Sequence, residues 1–297
     1  MYPKKTFVLF GRDKRQFEIA KALVGRGHKV RLCLSGSLDS IINGCEVFLD
    51  WRQALSGADV VILPLPISRD GSTLAYSDEE VSLESIINCA IKSGCRHIIG
   101  GIIPESLQAQ FDSKILFDDY YKCEDLQKKN ALPSAEGALM IAMENTDITV
   151  RGMRALICGY GRIGKSLAEI LYSLGADVTV AARRDESLCE AALKGYKAVR
   201  IEAGGFDNTS IFKGHDVIFN TVPSQIFSKN CFSSGDKNAL YIEIASAPYG
   251  LNITYAREAG VHVIFAPSIP SKYAPSTAGR YIFETISEIL AKRGVEI

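Results

Sequence analysis

An apolar run, Ala155 to Cys158, leads directly into Gly159-Tyr160-Gly161-Arg162-Ile163-Gly164 and then into an amphipathic segment. No other stretch restricts this chain so strongly. The run predicts a buried parallel strand. Ile163, Leu167, Ile170 and Leu171 recur at helical spacing behind it. Strand, glycine turn and helix in that order give the Gly-x-Gly-x-x-Gly pattern its meaning. Gly159 permits the tight turn, Gly161 lets backbone approach a pyrophosphate, and Gly164 lets helix and strand pack closely. The free N–H groups of the helix start then face the phosphates. The residues from Gly159 to Gly164, including Tyr160, Arg162 and Ile163, are therefore expected to bind a dinucleotide.

The next strand, Asp177 to Ala182, follows a helix stop at Gly175. NAD-binding sheets usually place Asp or Glu here, about 20 residues past the fingerprint, on the ribose hydroxyls. This chain has Arg183-Arg184. Two guanidiniums suit a 2′-phosphate, so NADP(H) is expected ahead of NAD(H). Asp185 is near enough to keep NAD open. Further on, Val217 to Asn220 reads as a buried strand ending in Thr221-Val222-Pro223, and Leu240 to Ser246 as another. Thr221, Val222, Pro223, Ala245 and Ser246 are expected to border the ribose and nicotinamide.

A chain of 297 residues suggests two domains. The first, 1–130, also alternates strand and helix. Its opening strand, Thr6 to Phe10, ends at Gly11-Arg12-Asp13-Lys14-Arg15-Gln16, which lacks the two further glycines. Arg12, Lys14 and Arg15 suit a carboxylate substrate instead, while Asp13 reads either as a helix cap or as a base. Arg96 to Ile102 is a strand carrying His97 and ending in Gly100-Gly101. Pro133-Ser134 predicts the start of an apolar connecting helix, buried nearly all round, with Glu136 in its first turn at an interdomain cleft. Ser134 and the amides after Gly101 are candidate donors to a second carboxylate. The second domain is expected over 131–273, with a helix from Thr277 to Arg293 crossing back onto the first. The fold class expected is α/β, two parallel-sheet Rossmann-like domains joined by that helix.

Formal net charge is zero, which argues against nucleic acid and anionic membrane as partners. The eight cysteines form no Cys-x-x-Cys pair and share no ligand spacing with the four histidines, so no metal is expected. No leader and no spanning apolar run are apparent, and a cytoplasmic location is expected.

Pro133-Ser134-Ala135-Glu136-Gly137-Ala138-Leu139-Met140, the glycine loop, Asn220-Thr221-Val222-Pro223-Ser224, Ala266-Pro267-x-x-Pro270 and Ala274-Pro275-x-Thr277-Ala278-Gly279 together resemble the dipicolinate synthase A-subunit family of spore-forming bacteria. The resemblance spans nearly the whole chain and includes the Gly11-x-Asp13-x-Arg15-Gln16 turn. It implies NADP-linked oxidation of dihydrodipicolinate, derived from 4-hydroxytetrahydrodipicolinate, to dipicolinate. It also implies a partner, the dipicolinate synthase B-subunit, and expression in the mother cell during sporulation; an oligomer is expected separately. Aromatisation removes a hydride and a proton, so the protein must bind a dianion, orient it and accept the proton. Asp13, Glu136 and His97 are the candidate bases. A generic 2-hydroxyacid or alanine-type dehydrogenase is an alternative, poorly matched by Arg280 and His262. A noncatalytic NADP-sensing protein is another.

Overall fold

The computed structural model describes residues 4–34, 42–111, 113–207, 213–232 and 239–297. It divides into two compact units, Met1–Asn130 with Ala274–Ile297, and Ala131–Tyr273. In the first unit the chain runs β1 (Thr6–Phe10), α1 (Lys14–Gly25), β2 (Lys29–Cys33), β3 (Cys45–Phe48), α2 (Trp51–Ala54), β4 (Val60–Ile62), α3 (Leu83–Lys92), β5 (His97–Gly100), α4 (Glu105–Phe111) and β6 (Leu116–Asp119). It then enters the long helix α5 (Glu124–Glu144), which carries it into the second unit. That unit contains β7 (Arg154–Cys158), α6 (Arg162–Ser173), β8 (Asp177–Ala182), α7 (Asp185–Leu193), β9 (Lys197–Arg200), β10 (Val217–Asn220), β11 (Leu240–Glu243), α8 (Ile253–Glu258), β12 (His262–Phe265) and α9 (Ile269–Tyr273). The closing helix α10 (Pro275–Lys292) belongs to the first unit.

Both sheets are six-stranded, in the orders β3-β2-β1-β4-β5-β6 and β12-β11-β10-β7-β8-β9. Every pairing is parallel. The first sheet has the order 3-2-1-4-5-6, and the second has the same form read from its other edge. In such sheets dinucleotides bind where the order reverses, outside the carboxyl ends of the strands. In the second sheet that reversal lies between β7 and β10, with Cys158 opposite Asn220.

The apolar runs explain the strands. β4 (Val-Val-Ile) and β10 (Val-Ile-Phe-Asn) are buried throughout, as parallel strands covered on both faces must be. In the first unit α1 contributes Ile19, Ala20 and Leu23, and α10 contributes Ile282, Phe283, Ile286 and Leu290, to one core with β1 and β2. Each large apolar side chain of this kind stabilises the fold by about 1.5–3 kcal/mol when fully buried. Gly279 lets α10 lie directly on the first turn of α1, since a Cβ there would be 2.7 Å from the Arg15 carbonyl oxygen.

Two expectations for the connecting segment are corrected. Pro133 does not start a helix but lies inside α5. Its missing N–H and its ring against the preceding turn ordinarily disfavour such a position. Here buried contacts on either side continue the helix, with Leu126 and Ala131 before it and Ala135, Ala138, Ile141 and Ala142 after it. The helix is also not buried all round, because Leu132, Met140 and Met143 are exposed. Beyond β12, the chain from Ile269 closes into α9. Gly137 faces this helix, where a Cβ would meet Ile269 at 2.3 Å.

Candidate functional site

The glycine loop joins the carboxyl end of β7 to α6. Gly159 takes φ of +95°, a region that only glycine enters without strain. A Cβ on it would lie 2.4 Å from Thr221 Oγ1 and 3.0 Å from Val222 Cγ2. The loop after β10 therefore rests on the glycine turn, and Thr221 Oγ1 donates to the Cys158 carbonyl at 2.9 Å. A Cβ on Gly164 would be 2.0 Å from the Gly159 carbonyl oxygen. Gly161 differs from both. It caps α6 with ordinary extended backbone, has no side-chain cap, and its added Cβ would meet nothing within 4 Å. That open space above a helix start fits a pyrophosphate received by backbone N–H groups. We expect Gly161→Ala to change folding stability by about 1 kcal/mol or less and to weaken dinucleotide binding by about tenfold, or 1.4 kcal/mol. Parallel denaturation and calorimetric titration separate the two quantities, and equal binding by the variant would defeat the assignment.

A buried polar network fixes the neighbouring loops. Glu243, 1% exposed at the end of β11, accepts from Asn220 Nδ2 at 2.7 Å, Gly250 N at 2.9 Å, Tyr241 Oη at 3.1 Å and Ala245 N at 3.2 Å. Burial pushes its carboxyl pKa up, and these donors pull against the shift. Asn220 in turn accepts from Val222 N at 3.1 Å and donates to the Val222 carbonyl at 3.0 Å. Thus Thr221-Val222-Pro223 and Ala245-Ser246 are tied together at the carboxyl edge of the sheet. Gly250 completes the network, because a Cβ there would lie 2.4 Å from Asn220 Nδ2.

Arg183 and Arg184 leave the same edge at the end of β8, both exposed, with Arg184 as the N-cap residue of α7. Asp185, the acidic residue that kept a ribose contact open, is ion-paired with Arg200.

The turn after β1 is organised differently from the expectation of free cations. Asp13 caps α1, accepting from Arg15 N at 3.1 Å, and its carboxylate receives the Arg15 guanidinium at 2.6–3.0 Å. The two are 2% and 3% exposed. Arg15 also donates to the Leu65 carbonyl. Burial works to lower the Arg15 pKa, but Asp13 outweighs it and the net shift is upward. Asp13 and Arg15 thus neutralise one another inside the unit, a poor arrangement for a free base and a free anion-binding cation. Arg12 is exposed and paired with Asp78, while Lys14 stays exposed. Gln16, which holds the place that Gly164 holds in the second unit, is buried with neither side-chain amide atom hydrogen-bonded.

His97 requires a correction. It is the first residue of β5, at the amino end of a parallel strand and so at the edge away from ligand sites. Its Nε2 meets Asp118 Oδ2 at 2.7 Å, and Arg293 closes on Asp118 at 3.0 Å. The trio anchors the end of α10. Burial lowers the His97 pKa despite the pull of Asp118. For Asp118, burial acts upward but is outweighed by Arg293 and His97, which hold the carboxyl below its ordinary value. A histidine with a depressed folded pKa stabilises the fold above its unfolded pKa, about 6.5. That stability is lost as pH falls below this value, and Asp118 extends the loss into the carboxylate range. Urea midpoints should therefore drop between pH 7 and pH 5, and His97→Asn should flatten the drop in part. His28, also lowered by burial, retains its share. An unchanged slope in the variant would refute the reading.

The amides after Gly101 are likewise taken, since Ile102 N and Ile103 N each donate to Asp119 at 3.0 Å. Gly100 and Gly101 serve packing, with added Cβ atoms 2.5 Å from Ile67 and Leu65. In the second unit, Ser134 is buried on α5 and Glu136 is exposed one turn from Pro133.

The pattern of the dipicolinate synthase A-subunit N-terminal domain matches residues 6–116. The dipicolinate synthase A-subunit of Bacillus subtilis (strain 168) is 28% identical over 96% of this chain and 95% of its own length. Nearly the whole of this chain is thus similar to dipicolinate synthase A-subunits. The crystal structure of the A-subunit from Bacillus halodurans agrees with a TM-score of 0.81 at 27% identity, covering 97% of this chain and 98% of the other. Residues 154–246 match the NADP oxidoreductase, coenzyme F420-dependent domain. A transhydrogenase from Sinorhizobium meliloti, 14% identical with a TM-score of 0.66 over 97% of this chain and 93% of its own, shares the fold.

These similarities support an oxidoreductase with a nicotinamide-dinucleotide domain. Among the described residues no group of acidic, histidine or cysteine side chains is placed to hold a metal, and no helix is long and apolar enough to cross a membrane. Sequence reasoning missed Glu243, Asn220 as its partner, and Asp119. A glutamate inside the apolar run Leu240–Ala245 was the available signal, since a carboxylate in a buried strand requires partners.

Proposed function

We propose that this chain is the A-subunit of a dipicolinate synthase, oxidising dihydrodipicolinate to dipicolinate with NADP⁺ alongside the B-subunit in a sporulating mother cell. The observation that carries this reading is similarity to the Bacillus subtilis A-subunit along 96% of the chain, together with an open, backbone-lined space at Gly161. Gly159 to Gly164 and the start of α6 would hold the pyrophosphate. Thr221, Val222, Pro223, Ala245 and Ser246 would flank the ribose and nicotinamide, and Arg183 with Arg184 would meet the 2′-phosphate. A nicotinamide held there would supply the acceptor for the hydride that the dihydropyridine ring loses.

The chain's own residues then bind two carboxylates and accept one proton. Lys14 and Arg12 are the exposed cations of the first unit's turn, and Ser134 is a further donor. Of the three candidate bases, Glu136 is the one not committed to an ion pair among the described residues, since Asp13 is held by Arg15 and His97 by Asp118. That commitment also favours a second reading, a protein that binds NADPH without turning anything over.

One experiment decides between them. Purified protein, freshly generated dihydrodipicolinate precursor and NADP⁺ are mixed with and without the B-subunit, and NADPH and the pyridine product are followed by absorbance. Product rising in step with NADPH is expected, with Glu136→Gln slowing turnover more than it raises KM. Tight NADPH binding without product in either mixture would overturn the proposal in favour of the second reading.

A further inference from the structure

Arg200 ends β9 directly beside Ala182, the last residue of β8, in the parallel ladder. From there its guanidinium reaches back in two directions. Nη1 donates to the Arg183 carbonyl at 2.9 Å, and Nη2 closes on Asp185. Asp185 begins α7 immediately after the two exposed arginines. Asp185 is 79% exposed and Arg200 42% exposed on their side chains. A solvent-exposed pair of this kind contributes little to folding, so stability does not account for it.

Position does. The carboxyl end of the second strand of a dinucleotide-binding sheet is where an acidic side chain accepts the ribose hydroxyls and repels a 2′-phosphate. Asp185 follows the end of that strand by three residues, at the start of α7, and an uncompensated carboxylate there would select against a phosphate received by Arg183 and Arg184. Arg200 neutralises it and at the same time holds the Arg183 backbone. A guanidinium can serve both acceptors because its donors form a rigid fork.

We propose that Arg200 is a positioning residue that sets cofactor choice, masking Asp185 so that the edge formed by Arg183 and Arg184 favours a 2′-phosphorylated dinucleotide. This rests on the cofactor reading above. The unmasked carboxylate is the device's other state, one that would suit an unphosphorylated ribose.

The test is a double-mutant cycle on the full chain, reading dissociation constants for NADPH and NADH by calorimetry. Arg200→Ala should lower the NADPH-to-NADH affinity ratio by about tenfold, a coupling of the size expected between charges in contact. Adding Asp185→Ala to that variant should restore most of the ratio, while melting temperatures stay together. A purely structural Arg200 would show no such rescue. An unchanged ratio in Arg200→Ala, or no recovery in the double variant, would overturn the proposal. If the unaltered chain itself shows no preference for NADPH, the cofactor reading fails separately. The masking would then still show as tighter NADH binding in Arg200→Ala, and its absence would remove the proposal too.

Discussion

Replacing Asp13 with alanine should destabilise the protein by about 3–5 kcal/mol, the loss that follows when one member of a buried ion pair is removed. Arg15 would be left nearly enclosed, with the Leu65 carbonyl and the Tyr76 hydroxyl as its remaining partners. The cap on α1 would be lost as well, about 1 kcal/mol in typical helices. Urea titration should show a lower midpoint with an unchanged slope. Asp13→Asn should lose less, because asparagine still caps a helix, although it cannot neutralise Arg15. Wild-type stability in the alanine variant would show that the pair does not hold this turn, and would make Asp13 a free carboxylate again.

Gly164→Ala should cost about 3 kcal/mol, at the upper end for overpacking. The atom it would strike, the Gly159 carbonyl oxygen 2.0 Å away, is backbone and cannot rotate aside. Relief requires moving α6 off β7, and α6 buries Leu167, Ala168 and Leu171 against the sheet. Dinucleotide binding should fall with stability here, unlike at Gly161, where binding alone should suffer. A Gly164→Ala protein with an unaltered melting temperature would contradict the close packing of helix on strand.

The difference between those two glycines shows what the sequence disclosed. The spacing Gly159, Gly161, Gly164 between an apolar strand and an amphipathic helix was readable without coordinates, because three constraints on one short turn leave few residue choices. The alternation of strand and helix in both halves was equally plain. Pairing between distant residues was not. Arg15 read as a free cation because nothing local marks Asp13 as its partner rather than as a base. His97 read as a candidate base because a strand's amino and carboxyl ends look alike until its neighbours are known. Pro133 read as a helix start because burial of Ala135, Ala138 and Ile141 on the far side, which sustains the helix through it, is a tertiary effect. Arg200 lies 15 residues from Asp185 in sequence, and only the ladder between β8 and β9 brings them together.

The repeated strand order has a consequence for stoichiometry. Two copies of one dinucleotide scaffold in a single chain would ordinarily invite two cofactors. In the first copy the residue corresponding to Gly161 is Asp13, whose carboxylate already occupies the helix start, and the residue corresponding to Gly164 is Gln16, whose side chain is buried there. A pyrophosphate approaching that turn would meet a seat taken by the protein's own anion. The second scaffold keeps an open turn at the matching point, at Gly161, while the first has its turn filled, leaving its loops free to specialise for a different ligand.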